Sequence, residues 1–250
     1  MFSNMGDYEP CGIFTTGHFI LLTVTIICII LALKFTYRKN KEDVYKIIKN
    51  LTIIICILEI IKIVFSIYQG SFADVNSYVP LYYCSILLYA GILSSFGKGN
   101  FKRAGDVCLA TGSIIGGIVF LIYPSTSLPM YPAFHFLSIH SFFFHGTMVY
   151  LGILINITNY VELKLSDAKY FAIIIAIMSI LALIVNKISN GNLMFISHNF
   201  PGTPIEIIYN LTNGNIWYSF IMIVAQMTLH FYFSYFIIKT IKQKYNSPIV

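Results

Sequence analysis

Seven long apolar stretches with few charged residues restrict what this chain can fold into more than any single motif does. Each is about 20 residues long, the length that an α-helix needs to cross the hydrocarbon core of a bilayer. Of the 250 residues, 57% are hydrophobic and 10% are charged, whereas about 25% of the residues in a soluble domain are charged. Inside lipid the backbone must satisfy its own hydrogen bonds, which such runs do as helices. The pattern predicts an all-α polytopic membrane protein, a single integral membrane domain over 1–250 with about seven spans near 17–35, 50–69, 77–96, 107–124, 132–157, 169–188 and 217–238.

The distribution of Lys and Arg predicts how these spans are oriented. Of the 16 basic residues, all except Lys62 and Lys187 flank the first, third and fifth connections or follow the last span. Since basic residues accumulate in cytoplasmic loops, we expect the N-terminus outside and the C-terminus in the cytoplasm. This topology accounts for the formal net charge of +6 without a nucleic-acid partner. We therefore expect a multi-pass protein of a cell membrane.

Three histidines lie at five-residue intervals in the apolar run FHFLSIHSFFFHG, namely His135, His140 and His145. Because a helix turns about 100° per residue, their side chains point in different directions and do not converge on one ion. The sequence contains neither HExxH nor CxxC, two spacings that mark metal and redox sites. We therefore expect neither a metal nor another cofactor. For any one of these histidines the simplest interpretation is a hydrogen bond across the bundle.

Polar residues from four spans are expected at a similar depth. Counting about 20 residues at 1.5 Å each from the Lys-rich end of every span gives this depth. Cys84, His145, Lys62 and Gln226 then fall at one level, about 10 Å below the outer boundary, with Glu59 one turn deeper. A thiol, an imidazole, an ammonium, an amide and a carboxylate share this layer, which makes it the candidate site.

The same count separates the other two histidines from this layer. It puts His140 at the outer boundary and His135 above it, so we interpret both as hydrogen-bonding residues of the membrane interface. His140 is kept as a supporting residue of the site, because the sequence leaves open which of His140 and His145 faces Cys84.

Glu59 and Lys62 are expected to form an ion pair that faces the bundle. A charge at the bilayer centre costs about 2.5 to 3.5 kcal/mol on insertion scales, and residues three apart share one face of a helix. Two interpretations remain open for the pair. One is a functional site, and the other is a structural salt bridge that orients the second span.

Short motifs along nearly the whole chain resemble those of one family. TGHF has His18 near the start of the first span, a Glu lies in the second, PLYYCS opens the third and FFFHG lies in the fifth. The later segments NGNLMFISHNFPGTP and IWYSF match as well. Together they resemble the YwaF-type bacterial integral membrane proteins, which implies a bacterial cytoplasmic membrane. More distantly, the chain is similar to an animal transmembrane acyltransferase that builds polyunsaturated ether phospholipids.

The resemblance to the acyltransferase implies a reaction. Its catalytic Cys and His correspond to Cys84 as nucleophile and His145 as base, with membrane phospholipid and lysophospholipid as partners. Tyr83, Lys62 or a backbone amide would stabilise the oxyanion. The chain departs from the pattern beside the nucleophile, because relatives usually have a His next to the Cys where this chain has Tyr83 and Ser85.

The sequence thus predicts a lipid acyltransferase, or a related acyl hydrolase that forms a thioester. A non-catalytic binder or transporter of lipids or small ligands is the alternative, since it needs the polar layer but not the thiol. Two further features leave function open. The long external connection 189–216 is either a lid or an ordered surface loop, and Gly112 and Gly116 form a GxxxG spacing typical of close helix packing.

Overall fold

The computed structural model describes residues 7–69 and 75–246, the last two without their side chains. Within these ranges the chain is helical and contains no β-strand, which confirms the predicted all-α class. In this described part of the chain, three short 3₁₀ turns, Tyr83–Ser85, Leu165–Asp167 and Leu193–Phe195, accompany the α-helices. The helices are α1 Thr16–Thr36, α2 Lys41–Tyr68, α3 Val75–Tyr78, α4 Ile86–Phe96, α5 Gly99–Ala110, α6 Gly112–Ile122, α7 Phe136–Ile157, α8 Ala168–Ser189, α9 Pro204–Leu211 and α10 Ile216–Asn246.

Within residues 7–69 and 75–246, seven helical stretches are long and apolar enough to cross a membrane, so the protein is a multi-pass membrane protein as predicted. The second begins at Lys41 rather than near residue 50, because Asn40 caps its N-terminus by accepting a hydrogen bond from the Asp43 amide at 2.9 Å. The stretches are Thr16–Thr36, Lys41–Tyr68, Val75–Phe96, Gly99–Ile122, Phe136–Ile157, Leu165–Ser189 and Ile216–Lys244.

Helix α7 lies at the centre of the bundle. In its most apolar 18-residue window 78% of the residues are buried, against 17% in α1. It packs against α1, α2, α5 and α6. Leu151, Leu154 and Ile155 of α7 are at most 1% exposed, whereas the large apolar side chains of α1 face outward. A side chain on α7 therefore lies among several other spans, which is what a buried site requires.

Two spans are broken, although the sequence predicted each as continuous. The third is interrupted after Pro80, where the chain is extended at Tyr82 before the 3₁₀ turn leads into α4. The fourth is broken at Thr111 (φ −121°, ψ −76°), which separates α5 from α6. Polar side chains donate hydrogen bonds to the freed backbone carbonyls: Ser234 to the Thr111 carbonyl at 3.1 Å and Asn156 to the Ala110 carbonyl at 2.8 Å.

The glycines of α6 allow close packing, as their spacing predicts. A Cβ on Gly112 would lie 2.6 Å from the Phe171 ring, and one on Gly116 would lie 2.9 Å from the Met148 side chain. A Cβ on Gly117 would lie 2.8 Å from the His145 carbonyl oxygen. Helix α6 therefore lies directly against the part of α7 that carries His145.

The connection 189–216 folds inward. Leu193, Met194 and Ile196 are fully buried, and Met194 and Phe195 both have φ near +55°. Tyr218 at the start of α10 donates a hydrogen bond to the Phe195 carbonyl at 2.6 Å. The first part of this connection, residues 192–196, is thus a wedge between helices rather than a surface loop.

Candidate active site

A polar cavity of about 160 Å³ lies between α2, α7 and the broken third span. Its walls come from α2, from residues 76–85 and from the connection 126–131, with one face of α7 completing it. Among the side chains that line it are those of Glu59, Lys62, Ser66, Asn76, Ser77, Cys84, Ser85, Thr126, Ser127, Tyr131, His140, Ser141 and His145. Five of the eight residues expected at the site therefore meet in one place.

Cys84 owes its position to the break in the third span. Pro80 lacks an amide hydrogen and cannot continue α3, so the chain runs on in an extended conformation until the 3₁₀ turn begins at Tyr83. Cys84 lies in that turn, directly before α4, where the helix dipole favours a negative group. Its thiol is free and partly buried. The sulfur is thus held at the wall of the cavity at the start of a helix.

His145 is fixed in orientation by α7 itself. Its Nδ1 lies 2.7 Å from the carbonyl oxygen of Ser141, one turn earlier on the helix. Because a carbonyl only accepts, Nδ1 carries the proton and Nε2 keeps its lone pair. The ring also stacks on Phe120 with a centroid distance of 3.6 Å. The His145 ring is therefore held in one orientation, with Nδ1 directed at its own helix.

Glu59 links two other side chains of the cavity. One carboxylate oxygen accepts a hydrogen bond from Lys62 Nζ at 2.6 Å, which confirms the predicted ion pair. The other oxygen lies 3.7 Å from His140 Nε2. The Glu59 side chain is 8% exposed and that of Lys62 is 22% exposed, so the pair is turned inward. Glu59 thus connects α2 to α7.

The model of the TMEM164 family matches residues 13–235. The chain belongs to the TMEM164 family. No curated protein and no solved structure gives a significant match. The range that matches this TMEM164 model includes every residue that lines the cavity, so the site lies within the part shared with the family.

His135 and His140 are both buried in this TMEM164 protein. His140 is 6% exposed and lines the cavity, and His135 is 1% exposed. His135 caps α7 by accepting a hydrogen bond from the Leu137 amide at 3.2 Å, and its ring stacks on Tyr131. Their depth in the membrane stays a prediction. Neighbouring segments, among them the connection 126–131, cover both side chains.

Three predicted site residues lie outside the cavity. The Tyr83 hydroxyl donates to the Gly112 carbonyl at 3.4 Å and its ring stacks on His230, so Tyr83 does not serve as an oxyanion donor. Gln226 donates to the Met194 carbonyl at 2.9 Å and anchors the wedge. His18 accepts from the Phe14 amide at Nδ1, and its Nε2 lies 3.0 Å from the Leu121 carbonyl oxygen. Each of the three side chains thus contacts a backbone carbonyl of another segment.

Several lining residues were missed by the sequence reasoning. Ser66 lies four residues after Lys62, on the helix face that also carries Glu59. Ser141 lies four residues before His145 on α7, so helical periodicity could have identified both serines. The residues of 126–131 carry no such signal because they lie between spans. Asn76 accepts a hydrogen bond from the Asn192 amide at 2.8 Å, so the wedge supports the wall of the cavity.

Metal binding has no support among the described residues, where no group of three His, Cys, Asp or Glu side chains is arranged to hold an ion. Glu59 is already engaged by Lys62, and His145 uses Nδ1 on its own helix. The arrangement instead offers a thiol, two imidazoles and an ammonium around one cavity. These are groups suited to nucleophilic and acid–base chemistry.

Proposed function

We propose that the protein is a membrane-embedded lipid acyltransferase, or a related acyl hydrolase, with Cys84 as nucleophile and His145 as base. The observation that carries the proposal is that Cys84 and His145 line the same cavity although they are 61 positions apart in the chain and lie on different spans. The resemblance to YwaF-type proteins and to the animal acyltransferase agrees with this pair, and a bacterial cytoplasmic membrane is part of the proposal.

The first half-reaction transfers an acyl group to the enzyme. His145 Nε2 takes the proton of the Cys84 thiol, which is a poor nucleophile until it is deprotonated. The thiolate attacks the ester carbonyl of a phospholipid, a C–S bond forms and the ester C–O bond breaks. The protonated imidazole then returns its proton to the departing alkoxide. The products are a lysophospholipid and an acyl-thioester on Cys84.

The second half-reaction reverses these steps with a new acceptor. A lysophospholipid hydroxyl, or water in the hydrolase, attacks the thioester carbonyl and releases the thiolate. Negative charge develops on the carbonyl oxygen in both halves, and Lys62 or a backbone amide at the start of α4 is the proposed donor to it. The Lys62 ammonium suits this role because Glu59 is its sole acceptor among the hydrogen bonds of the described residues, which leaves two N–H groups for a ligand.

The test is capture of the acyl-enzyme. Purified protein is mixed with vesicles of phosphatidylethanolamine, phosphatidylglycerol and phosphatidylcholine that carry isotope-labelled acyl chains, and hydroxylamine-sensitive label on Cys84 is measured together with label in added lysophospholipids. Cys84→Ala and His145→Ala are each expected to abolish transfer, and the double variant to be little worse, because members of one catalytic unit are non-additive. Cys28→Ala, which removes an exposed thiol of α1, is the matched control. Lipid-dependent transfer that survives Cys84→Ala contradicts the proposal.

A non-catalytic lipid or small-ligand binder or transporter is the second candidate function. It is favoured by the hydroxyl and amide side chains of Ser66, Asn76, Ser77 and Ser127 in the cavity, which suit recognition of a polar group. Saturable binding of a lysophospholipid by the wild-type protein, without any thioester and unchanged by Cys84→Ala, selects this function over the enzyme.

A further inference from the structure

A second cavity, of about 550 Å³, is an apolar groove between α1, α2 and α7. Helices α1 and α2 are joined by residues 37–40 alone, yet both pack on α7 rather than on each other. They form the sides of the groove, and α7 forms its floor. Among the described residues, none lines both this groove and the polar cavity at Cys84, because α7 turns a different face to each.

The walls of the apolar groove present mainly carbon atoms, because their hydroxyl groups are already engaged within the protein. Thr25 and Thr147 each donate a hydrogen bond of 2.8 Å to the carbonyl four residues earlier on the same helix. The Tyr150 hydroxyl donates to Thr36 at 3.1 Å. Most of the remaining wall is aliphatic or aromatic. Such a surface gains free energy from contact with an apolar occupant and not from contact with water.

The length of the apolar groove matches that of one lipid tail. Its lining runs from Leu21 to Ala32 along α1 and from Ile139 to Tyr150 along α7, an advance of eleven residues on each helix. At 1.5 Å per residue, either wall is about 16 Å long. The tails of one leaflet fill half of the hydrocarbon core, which is about 15 Å. The groove therefore fits one extended acyl chain that runs along α7.

One end of the apolar groove, where Asn50 lies, adjoins a basic segment formed by residues 34–49. This segment contains six Lys or Arg and two acidic residues, so its formal net charge is +4. Lys34, Arg38 and Lys41 are exposed and form no ion pair with the described residues, whereas two other lysines of the segment do. Clusters of basic residues beside a membrane span attract anionic lipid headgroups. Charge at this end thus complements a phosphate attached to the tail.

We propose that the apolar groove binds one acyl chain of an anionic phospholipid, whose headgroup lies at the basic segment beside Asn50. The second chain of this lipid stays in the bilayer. The lipid is a resident ligand and not the acyl donor, because α7 separates the groove from Cys84. Two features select it together. A zwitterionic phospholipid has the tail without the net negative charge, and a free phosphate compound has the charge without the tail.

The experiment measures lipid binding to the full-length protein by native mass spectrometry in detergent micelles. Dioleoylphosphatidylglycerol and dioleoylphosphatidylcholine have identical tails and are titrated separately, and glycerol 3-phosphate represents the headgroup without tails. We expect one phosphatidylglycerol to bind about tenfold or more tightly than phosphatidylcholine, a difference that a few basic residues provide. Glycerol 3-phosphate should not displace it. Equal binding of the two phospholipids, or displacement by glycerol 3-phosphate, overturns the inference.

The charge of the basic segment is tested by replacing Lys34, Arg38 and Lys41 with Gln in one variant. This variant should lose the preference for phosphatidylglycerol and keep the affinity of the wild type for phosphatidylcholine. The matched control replaces three exposed lysines outside the segment with Gln, and it should keep the preference. These lysines are Lys98, Lys169 and Lys239. A preference that survives removal of the three basic groups of the segment overturns the inference.

Two substitutions fill the apolar groove from different walls. Val24→Trp on α1 and Ile139→Trp on α7 should each weaken phosphatidylglycerol binding by about tenfold, because the indole displaces several methylenes of the tail. Ile30→Trp is the matched control, since Ile30 is 58% exposed, Val24 is 53% exposed, and Ile30 lies outside the groove. Wild-type affinity in both groove variants assigns the lipid to the general lipid shell and overturns the inference.

Discussion

The Glu59–Lys62 pair provides the sharpest test of how charge is accommodated inside the bundle. We expect Lys62→Met and Glu59→Gln each to destabilise the protein, and the double variant to be close to the wild type. In either single variant one charge stays buried without its partner, whereas the double variant leaves no charge at all. The ordering of the three variants therefore distinguishes a true buried pair from two charges that happen to be near each other.

The magnitude follows from the environment of each group. Removing one partner of a buried ion pair costs about 3 to 5 kcal/mol, and replacing both with groups of similar volume is often neutral. Lys62→Met strands a carboxylate that is only 8% exposed, although His140 lies 3.7 Å away and relieves part of the cost by donating to it. Glu59→Gln strands an ammonium that is 22% exposed and borders the polar cavity. We therefore expect about 3 kcal/mol for each single variant and less than about 1 kcal/mol for the double variant.

The assay is equilibrium unfolding of the purified protein in mixed detergent micelles, followed by tryptophan and tyrosine fluorescence. The coupling free energy from the double-mutant cycle is expected to be about 5 to 6 kcal/mol, well above the scatter expected for independent sites. Glu42 and Lys46 provide the control cycle, because this pair is 2.8 Å apart but highly exposed and belongs to the class that contributes little. If both single variants unfold like the wild type, the two side chains are solvated and the reasoning is refuted.

Two further predictions concern topology and packing. A reporter fused after Val250 should be cytoplasmic, and an impermeant thiol reagent applied to intact cells should label Cys11; an external reporter would refute the orientation derived from the basic residues. Gly105→Val should destabilise the protein by about 3 kcal/mol in the same unfolding assay, because a Cβ there would lie 2.6 Å from the backbone oxygen of Ala90 on α4. Gly116→Ala should destabilise the protein less, since the end of the Met148 side chain can move away from the new Cβ. Equal losses of stability in the two variants would show that the backbone of α4 moves as easily as that side chain.

The seven spans and the ion pair were predictable because their signals are local. Span length follows from bilayer thickness, and each predicted stretch contains enough consecutive apolar residues to be recognised alone. Glu59 and Lys62 are three residues apart on one helix, so their contact needs no knowledge of other elements. The meeting of Cys84 and His145 in one cavity follows from depth counting on two separate helices. The depth itself stays a prediction, and what the two residues share in the structure is the wall of one cavity.

The environment of His140 was not predictable from its own helix. Its burial depends on α2 and on the connection 126–131, which line the same cavity as this part of α7. The break at Thr111 was equally hidden, because the residues that satisfy the freed carbonyls, Asn156 and Ser234, come from α7 and α10. Tyr83 was misplaced for a related reason: one residue before Cys84 in a 3₁₀ turn, its ring points to α6 and α10 instead of the cavity. Each of these positions is decided by a partner far away in sequence.

One carboxylate connects the fold of the bundle with its proposed chemistry. Glu59 holds Lys62 on its own helix with one oxygen and faces His140 of α7 with the other, so the distance between α2 and α7 sets the distance between carboxylate and imidazole. A buried ion pair is not intrinsically stabilising, and an apolar pair of similar volume often stabilises a core more. Stabilisation of the fold alone therefore does not explain why the pair is there. Its presence inside the bundle fits the proposed acyl transfer, in which the Lys62 ammonium meets the negative charge that develops on the carbonyl oxygen.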